Sequence, residues 1–222
     1  MKTWELLGAT ATADGTDIRL TRRDGEYVIL AGGKPLMSSR LHGSEEALAT
    51  LGCAAARGLT RPRVLVGGLG MGFTLRAVLN VLPAAASVLV AEVVPAVVQW
   101  NRDPLASLAG YPLHDPRVRI EVVDVGFTLR ANRERFDAIL LDVDNGPAAF
   151  TIGANVGLYD DSGVAAAYTA LTPTGTLAIW SAWEDEEFDQ RLRAQGFATE
   201  VVRVRAGQKK GGPRHTIFVG RL

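Results

Sequence analysis

The spacing of apolar positions along this chain changes character twice. In the first forty residues apolar side chains alternate with polar ones or come in short runs broken by turn signals. Asp17–Thr21 (DIRLT) alternates, Arg23-Asp24-Gly25 is a turn, and Glu26–Leu30 (EYVIL) is rich in strand formers. Gly32-Gly33 turns again before a short strand at Lys34–Met37. Strands separated by Asp-Gly and Gly-Gly read as hairpins. Residues 1–40 are therefore expected to form a small N-terminal β-hairpin element, and residues 41–222 the main domain.

From Ser44 the pattern becomes helical. Ser44 is a candidate cap, Glu45-Glu46 suits the positive end of the helix dipole, and Gly58 would stop the helix after Arg57. Strand and helix then alternate. Apolar strands are expected at Val64–Val66, Ser87–Ala91, Val118–Val123, Ala138–Leu141 and Thr176–Trp180. Helices are expected at Thr74–Val81, Pro95–Leu108, Phe127–Asn132, Gly163–Leu171 and Glu186–Ala194, with Pro173-Thr-Gly175 as a turn. Strands that are nearly all apolar are buried on both faces, as in a parallel sheet covered by helices. The alternation thus predicts a doubly wound, Rossmann-like α/β sheet. Ala198–Val204 and Thr216–Val219 have no helix between them, so a C-terminal antiparallel hairpin should close one edge. Its connection, Gln208–Arg214, reads equally as a lid over a site or as a plain hairpin tip.

Composition narrows the function classes. The 222 residues suit one main domain with a small appendage. Lys and Arg (24) balance Asp and Glu (24), so the basic excess of a nucleic-acid binder is missing. The Lys209-Lys210 patch, with Arg203, Arg205 and Arg214, reads as a solvated loop. No apolar run approaches the roughly 20 residues that span a bilayer, and the N-terminus lacks a signal-peptide layout. A cytoplasmic protein without nucleic-acid or membrane partners is expected. The single cysteine, Cys53, lies in an alanine-rich run and reads as a buried helix-face residue. No Cys/His spacing suggests a metal site.

Four motifs carry candidate chemistry, each at the end of an expected strand. Gly67-Gly68-Leu69-Gly70-Met71-Gly72 follows the first strand and opens a helix. Glycines let a ligand approach the backbone, and exposed N–H groups at a helix start favour a polar or anionic ligand. The turn has no Lys, which argues against a P-loop. Glu92 ends the next strand, where a carboxylate can accept from both ribose hydroxyls; Val93 follows it. Asp124-Val125 ends the third strand. Asp124 could accept from an adenine amino group or cap the following helix, and the two roles are compatible. Asp142-Val-Asp144-Asn145-Gly-Pro ends the fourth strand, where an acid could orient an amine and take its proton.

These motifs, in this order, resemble the spermidine synthase family of aminopropyltransferases. The resemblance spans roughly Asp17 to Leu177 and implies a class I methyltransferase-type fold. Gly67–Arg76 (GGLGMGFTLR) looks like the family's glycine turn, Ala91-Glu92-Val93 its ribose-binding strand end, and Asp124-Val125 its adenine contact. Asp142 falls on its catalytic Asp. Leu158-Tyr159 and Leu171–Leu177 match its later helix and strand. The departures fall in the polyamine half. Met71 stands where the family has an Asp that holds the donor's amine end, and Asn145 stands where it has a second catalytic Asp. Gly43-Ser44-Glu45 replaces Tyr-His-Glu, and no glutamine lies near Met37.

The resemblance implies a transferase using S-adenosylmethionine or its decarboxylated form, transferring an aminopropyl-type group to a small amine, and acting as a homodimer. Asp142 is the expected base or amine orienter, assisted by Asp144. The nucleotide would lie on Gly67, Gly68, Gly70, Met71, Gly72, Glu92, Val93, Asp124 and Val125. Glu45, Asn145, Tyr159 and Trp183, with Trp180, would wall the acceptor pocket. Met71 would tolerate a carboxylate on the donor tail. Two alternatives share the fold: a small-molecule methyltransferase, disfavoured by Val66 where an acid is usual before the glycines, and a non-catalytic nucleotide-binding protein.

Overall fold

The computed structural model describes residues 3–143, 146–147, 156–207 and 213–222. The chain opens with a four-stranded antiparallel sheet in the order β1 (Glu5–Ala11), β2 (Asp17–Arg23), β3 (Glu26–Ala31) and β4 (Lys34–Ser38). The last three strands match the hairpins read from the sequence. β1 was not anticipated, because Gly8 interrupts its alternation and its register with β2 shifts between Leu6 and Gly8. That glycine is required: a Cβ there would collide with the indole of Trp100. Ile18, Leu20 and Ile29 of this small sheet enter the same apolar core as the helices that follow.

The main sheet has seven strands in the order β10-β11-β9-β8-β5-β6-β7. β5 (Arg63–Gly67) is central, with β6 (Ser87–Glu92) and β7 (Val118–Val122) on one side. β8 (Phe136–Leu141) and β9 (Leu171–Ser181) lie on the other, and these five run parallel. β10 (Ala198–Arg205) and β11 (Arg214–Arg221) form the expected antiparallel hairpin, with β11 inserted between β10 and β9. The strand order turns back at β5, so the tips of β5, β6, β7 and β8 share one crevice, the usual ligand position in open parallel sheets.

Helices cover both faces. α1 (Gly43–Gly52), α2 (Phe73–Val81) and α3 (Pro95–Arg102) pack with the N-terminal sheet on one face. α4 (Val125–Arg130), α5 (Val156–Tyr159), α6 (Asp161–Ala170) and α7 (Glu186–Gln195) frame the core on the other. Cys53 is fully buried beside α1, and burial pushes its thiol up to about 12.

Four local expectations are corrected. Ser44 does not cap α1; His42 holds that position without a side-chain cap, and Ser44 is buried in the first turn. α1 ends at Gly52, not Arg57. At Gly52 the helix lies so close to the sheet that a Cβ would meet Ala178 Cβ at 2.9 Å, and the chain then turns off. α3 ends at Arg102, not Leu108, because Asp103 precedes Pro104 and is extended, as that position favours. Pro173-Thr-Gly175 lies within β9, where the register with β8 shifts between Phe136 and Ala138. Among the described residues no helix is long and apolar enough to cross a membrane.

Candidate active site

The tips of the parallel strands open into a cavity of about 1080 Å³, roofed by the N-terminal sheet. Gly68 and Gly70 line it, together with Glu92, Val93, Asp124, Val125 and Asp142. Glu45 of α1, Trp180 of β9 and His215 of β11 complete its far end.

The glycine turn is shaped by backbone geometry. Gly68, Gly70 and Gly72 all have positive φ (87°, 50° and 82°), which glycine adopts without steric cost. Gly68 N–H donates to the Ala91 carbonyl at 2.9 Å, tying the turn to β6. A Cβ at Gly68 would strike the Asp142 carbonyl, so the turn and the β8 tip touch directly. Asn101, buried in α3, holds the turn from behind, its Nδ2 donating to Gly70 O at 2.8 Å. Above Gly70 sits the Met37 thioether of β4; a Cβ on the glycine would lie 3.0 Å from Sδ.

Glu92 is buried and aimed at this turn. Its Oε2 accepts from Leu69 N–H and its Oε1 from Val94 N–H, both at 2.8 Å. Both of its oxygens thus help to fix the backbone at the mouth of the cavity. Asp124 serves as the N-cap of α4, accepting from Phe127 N–H at 3.0 Å, while lining the cavity. Its cap and ligand-facing positions therefore coincide. Val93 is exposed at the cavity edge, and Val125 packs against the turn.

Two acids meet at the far end. Asp142 accepts a hydrogen bond from Thr74 Oγ1, and its own N–H donates to Gly67 O at 2.9 Å. Glu45 accepts from Ser44 Oγ at 2.6 Å. Burial raises both carboxyls, and the charge of Asp142 raises Glu45 further, to about 7. Among the described residues no Lys or Arg lines the cavity beside this pair, so a cation entering there would lower both carboxyls back toward the ionised form. Next to Glu45, His215 Nδ1 lies 2.9 Å from Ser44 Oγ, and the His215 ring meets Trp180 edge-on at 4.5 Å. Burial lowers the His215 pKa, favouring the neutral ring. Trp180 Nε1 is buried without a hydrogen-bond partner among the described residues.

Several expected site residues lie elsewhere. Met71 is fully buried in the core and does not line the cavity, so its side chain is not placed to tolerate a carboxylate there. Gly67 and Gly72 shape the turn from within. Their missing Cβ atoms leave room for Val125 and Asn101 respectively, and neither glycine lines the cavity. Tyr159 packs edge-on against Phe188 in the opposite core and donates to Val143 O at 3.3 Å; it supports the segment after β8 and does not wall an acceptor pocket. Trp183 is 57% exposed and outside the cavity lining. Asp144 and Asn145 lie outside the described residues, as do 208–212 of the hairpin loop. Sequence reasoning missed Thr74, Ser44, Asn101 and His215. Only Thr74, next to the glycine turn, carried a local signal.

The cavity lining has a one-sided charge. Asp14, Glu26, Glu45, Glu92, Asp124 and Asp142 line it, and no Lys or Arg does among the described residues. No group of three or more His, Cys, Asp or Glu among the described residues could hold a metal ion.

Comparison with solved structures gives the same architecture. A spermidine synthase from Thermotoga maritima superposes with a TM-score of 0.75 at 19% identity, over 97% of this chain and 72% of that one. The fold is that of spermidine synthase. A spermidine synthase in complex with the transition-state analogue AdoDATO gives 0.74 at 19% identity, with the same 97% and 72% coverage. A probable spermidine synthase from Corynebacterium glutamicum ATCC 13032 gives 0.66 at 17% identity, covering 100% of this chain and 81% of that one. No family model matches the chain, and no curated protein matches it. The spermidine synthase fold, with its small N-terminal sheet and C-terminal hairpin, thus stands on three-dimensional likeness alone.

Proposed function

We propose that this protein is an S-adenosyl-sulfonium-dependent transferase that alkylates a small amine. One observation carries the reading: the glycine turn, Glu92, Asp124 and Asp142 converge with Glu45 on one cavity lined by carboxylates and, among the described residues, by no basic side chain but His215. Such a lining favours a ligand of net positive charge, as a sulfonium donor and an ammonium acceptor both are. It favours a donor tail ending in an ammonium group over one that also carries a carboxylate. This sets decarboxylated S-adenosylmethionine ahead of the intact form, and alkyl transfer ahead of methyl transfer.

In this reading the adenosine lies across Gly68 and Gly70, its ribose on Glu92 and its adenine near Asp124. Asp142 and Glu45 receive the acceptor as an ammonium ion, take one proton and hold the amine in line with the carbon next to sulfur. The nitrogen lone pair forms the new C–N bond. The C–S bond breaks, and its electron pair stays on sulfur as a neutral thioether. Alignment and a deprotonated nucleophile are the main requirements of such a displacement. The homodimer implied by the family resemblance belongs to the same proposal.

The test is calorimetric titration with methylthioadenosine, S-adenosylmethionine and its decarboxylated form, followed by mass analysis of incubations with a panel of amines. Methylthioadenosine release together with an amine heavier by the transferred group is expected. Release of S-adenosylhomocysteine would replace the reading by methyl transfer. Nucleoside binding without turnover of any amine would leave a non-catalytic nucleotide-binding protein.

A further inference from the structure

A hydrogen-bonded line runs from the acid pair toward the C-terminal hairpin. Glu45 Oε2 accepts from Ser44 Oγ at 2.6 Å, and Ser44 Oγ lies 2.9 Å from His215 Nδ1. The three groups come from α1 and β11, which the sheet brings together across 171 residues of sequence. Ser44 is 1% exposed, so no solvent competes for its single hydroxyl proton. His215 is partly exposed and lines the cavity.

A serine hydroxyl has one proton and can accept others, which allows this line two directions. With Glu45 ionised, His215 Nδ1–H donates to Ser44, and Ser44 O–H donates to the carboxylate. With Glu45 protonated, the acid O–H donates to Ser44, Ser44 donates to His215 Nδ1, and the imidazole carries its proton on Nε2. Passing from the second arrangement to the first moves the Glu45 proton to Ser44, the Ser44 proton to Nδ1, and the Nε2 proton to water. One proton passes from the acid to water, Glu45 is left as the carboxylate, the serine and the ring stay neutral, and tautomer exchange with water resets the ring.

We infer that Ser44 and His215 are the proton exit of the Glu45–Asp142 pair, carrying away the proton that each amine alkylation releases. The inference rests on the transferase reading for its purpose, but the relay itself is a property of the resting protein. The groups that face it are few. Glu45 has Asp142 across the cavity and Glu46 beside it on α1, and both charges raise its carboxyl. Glu46 is in turn paired with His42 at 2.9 Å. His215 faces Trp180 and Ser44. Burial lowers the imidazole below its ordinary range and raises Glu45 to about 7, so on acidification Glu45 takes up its proton ahead of the ring. Ser44 and His215 are thus positioning residues that act through Glu45.

The test reads the His215 tautomer by nitrogen-15 NMR of the full-length protein labelled at histidine, titrated from pH 8.5 to pH 6. A switch from the Nδ1–H to the Nε2–H form on acidification is expected, with its midpoint near that of Glu45. Ser44→Ala should abolish the switch, and Ser44→Thr, which keeps the hydroxyl, should restore it. One tautomer throughout the titration of the unmodified protein overturns the relay, whatever the variants do; so does an unchanged switch in Ser44→Ala. In the transfer assay, Ser44→Ala and His215→Gln should lower kcat about tenfold or more while methylthioadenosine affinity changes less than about twofold, as for loss of an assisted proton transfer. Equal kcat in all three proteins overturns the exit role. A tautomer switch with no amine alkylated by any variant supports the relay and removes the transferase reading instead.

Discussion

The two ends of the cavity are built by different means. The end proposed for the nucleotide is local. A glycine turn, the tips of two neighbouring strands and one carboxylate that hydrogen-bonds to backbone N–H groups lie within a sequence span from Gly67 to Val125. The proposed acceptor end is assembled from distant segments: Glu45 from the N-terminal part, Asp142 from the middle, and Trp180 and His215 from the C-terminal strands. The first end is held mainly by backbone geometry, which the core rigidifies. The second is held by side chains whose protonation is poised. Under the proposed function, change at the acceptor end would alter what is alkylated without disturbing how adenosine is held.

The sharpest way to break this division is Asp142→Asn. It should lower amine alkylation by about 100-fold to 10,000-fold, the usual share of a general base, while calorimetric affinity for methylthioadenosine stays within about twofold. A parallel loss of nucleoside binding would show that the two ends are one unit. They touch where the glycine turn meets the β8 tip, and Gly68→Ala probes that contact. Positive φ and a collision with the Asp142 carbonyl should cost about 1–3 kcal/mol in denaturant unfolding, and both nucleoside affinity and turnover should fall. A neutral Gly68→Ala would mean that the turn has room the geometry denies.

Glu92→Ala should weaken methylthioadenosine binding about tenfold or more, since a hydrogen bond to a charged group contributes about 1.5–3 kcal/mol. Glu92→Gln should fall between the two, because it retains one acceptor for Leu69 or Val94. Unchanged affinity in both would remove the ribose assignment. The acceptor end offers the smallest effect, through pH. Glu45 holds its proton to about 7 when folded, against 4.5 as an unperturbed carboxyl. Between those values the folded state binds more protons than the unfolded chain, so this group makes stability fall as pH rises. Glu45→Gln should flatten that slope and raise the melting temperature at pH 8 by a few degrees, about 2–4 °C per kcal/mol at this chain length. Saturating amine should do the same to the unmodified protein if it binds as an ammonium ion.

How far the sequence could be read follows the same division. The alternation of apolar strands and helices, the hairpin edge, and the glycine turn with Glu92 and Asp124 were all legible, because each depends on neighbours along the chain. Asp142 was legible as a strand-tip acid. Tyr159 and Trp183 were misplaced because an aromatic residue does not encode which face it will meet. One entered the far core, and the other stayed in solvent. Met71 looked like a ligand contact because it sits inside the glycine turn, yet the positive φ values on either side turn its side chain inward. Ser44 resembled a cap and became a buried link to His215, a partner that no local pattern could name.

The insertion of β11 between β9 and β10 has a consequence for how the protein is made. β10 touches the sheet only through β11, the strand that follows it in the chain. Ala198–Arg205 can therefore join the sheet only when β11 is paired with β9. Because β11 also carries His215, docking of that one strand adds the edge of the sheet and completes the far wall of the cavity together.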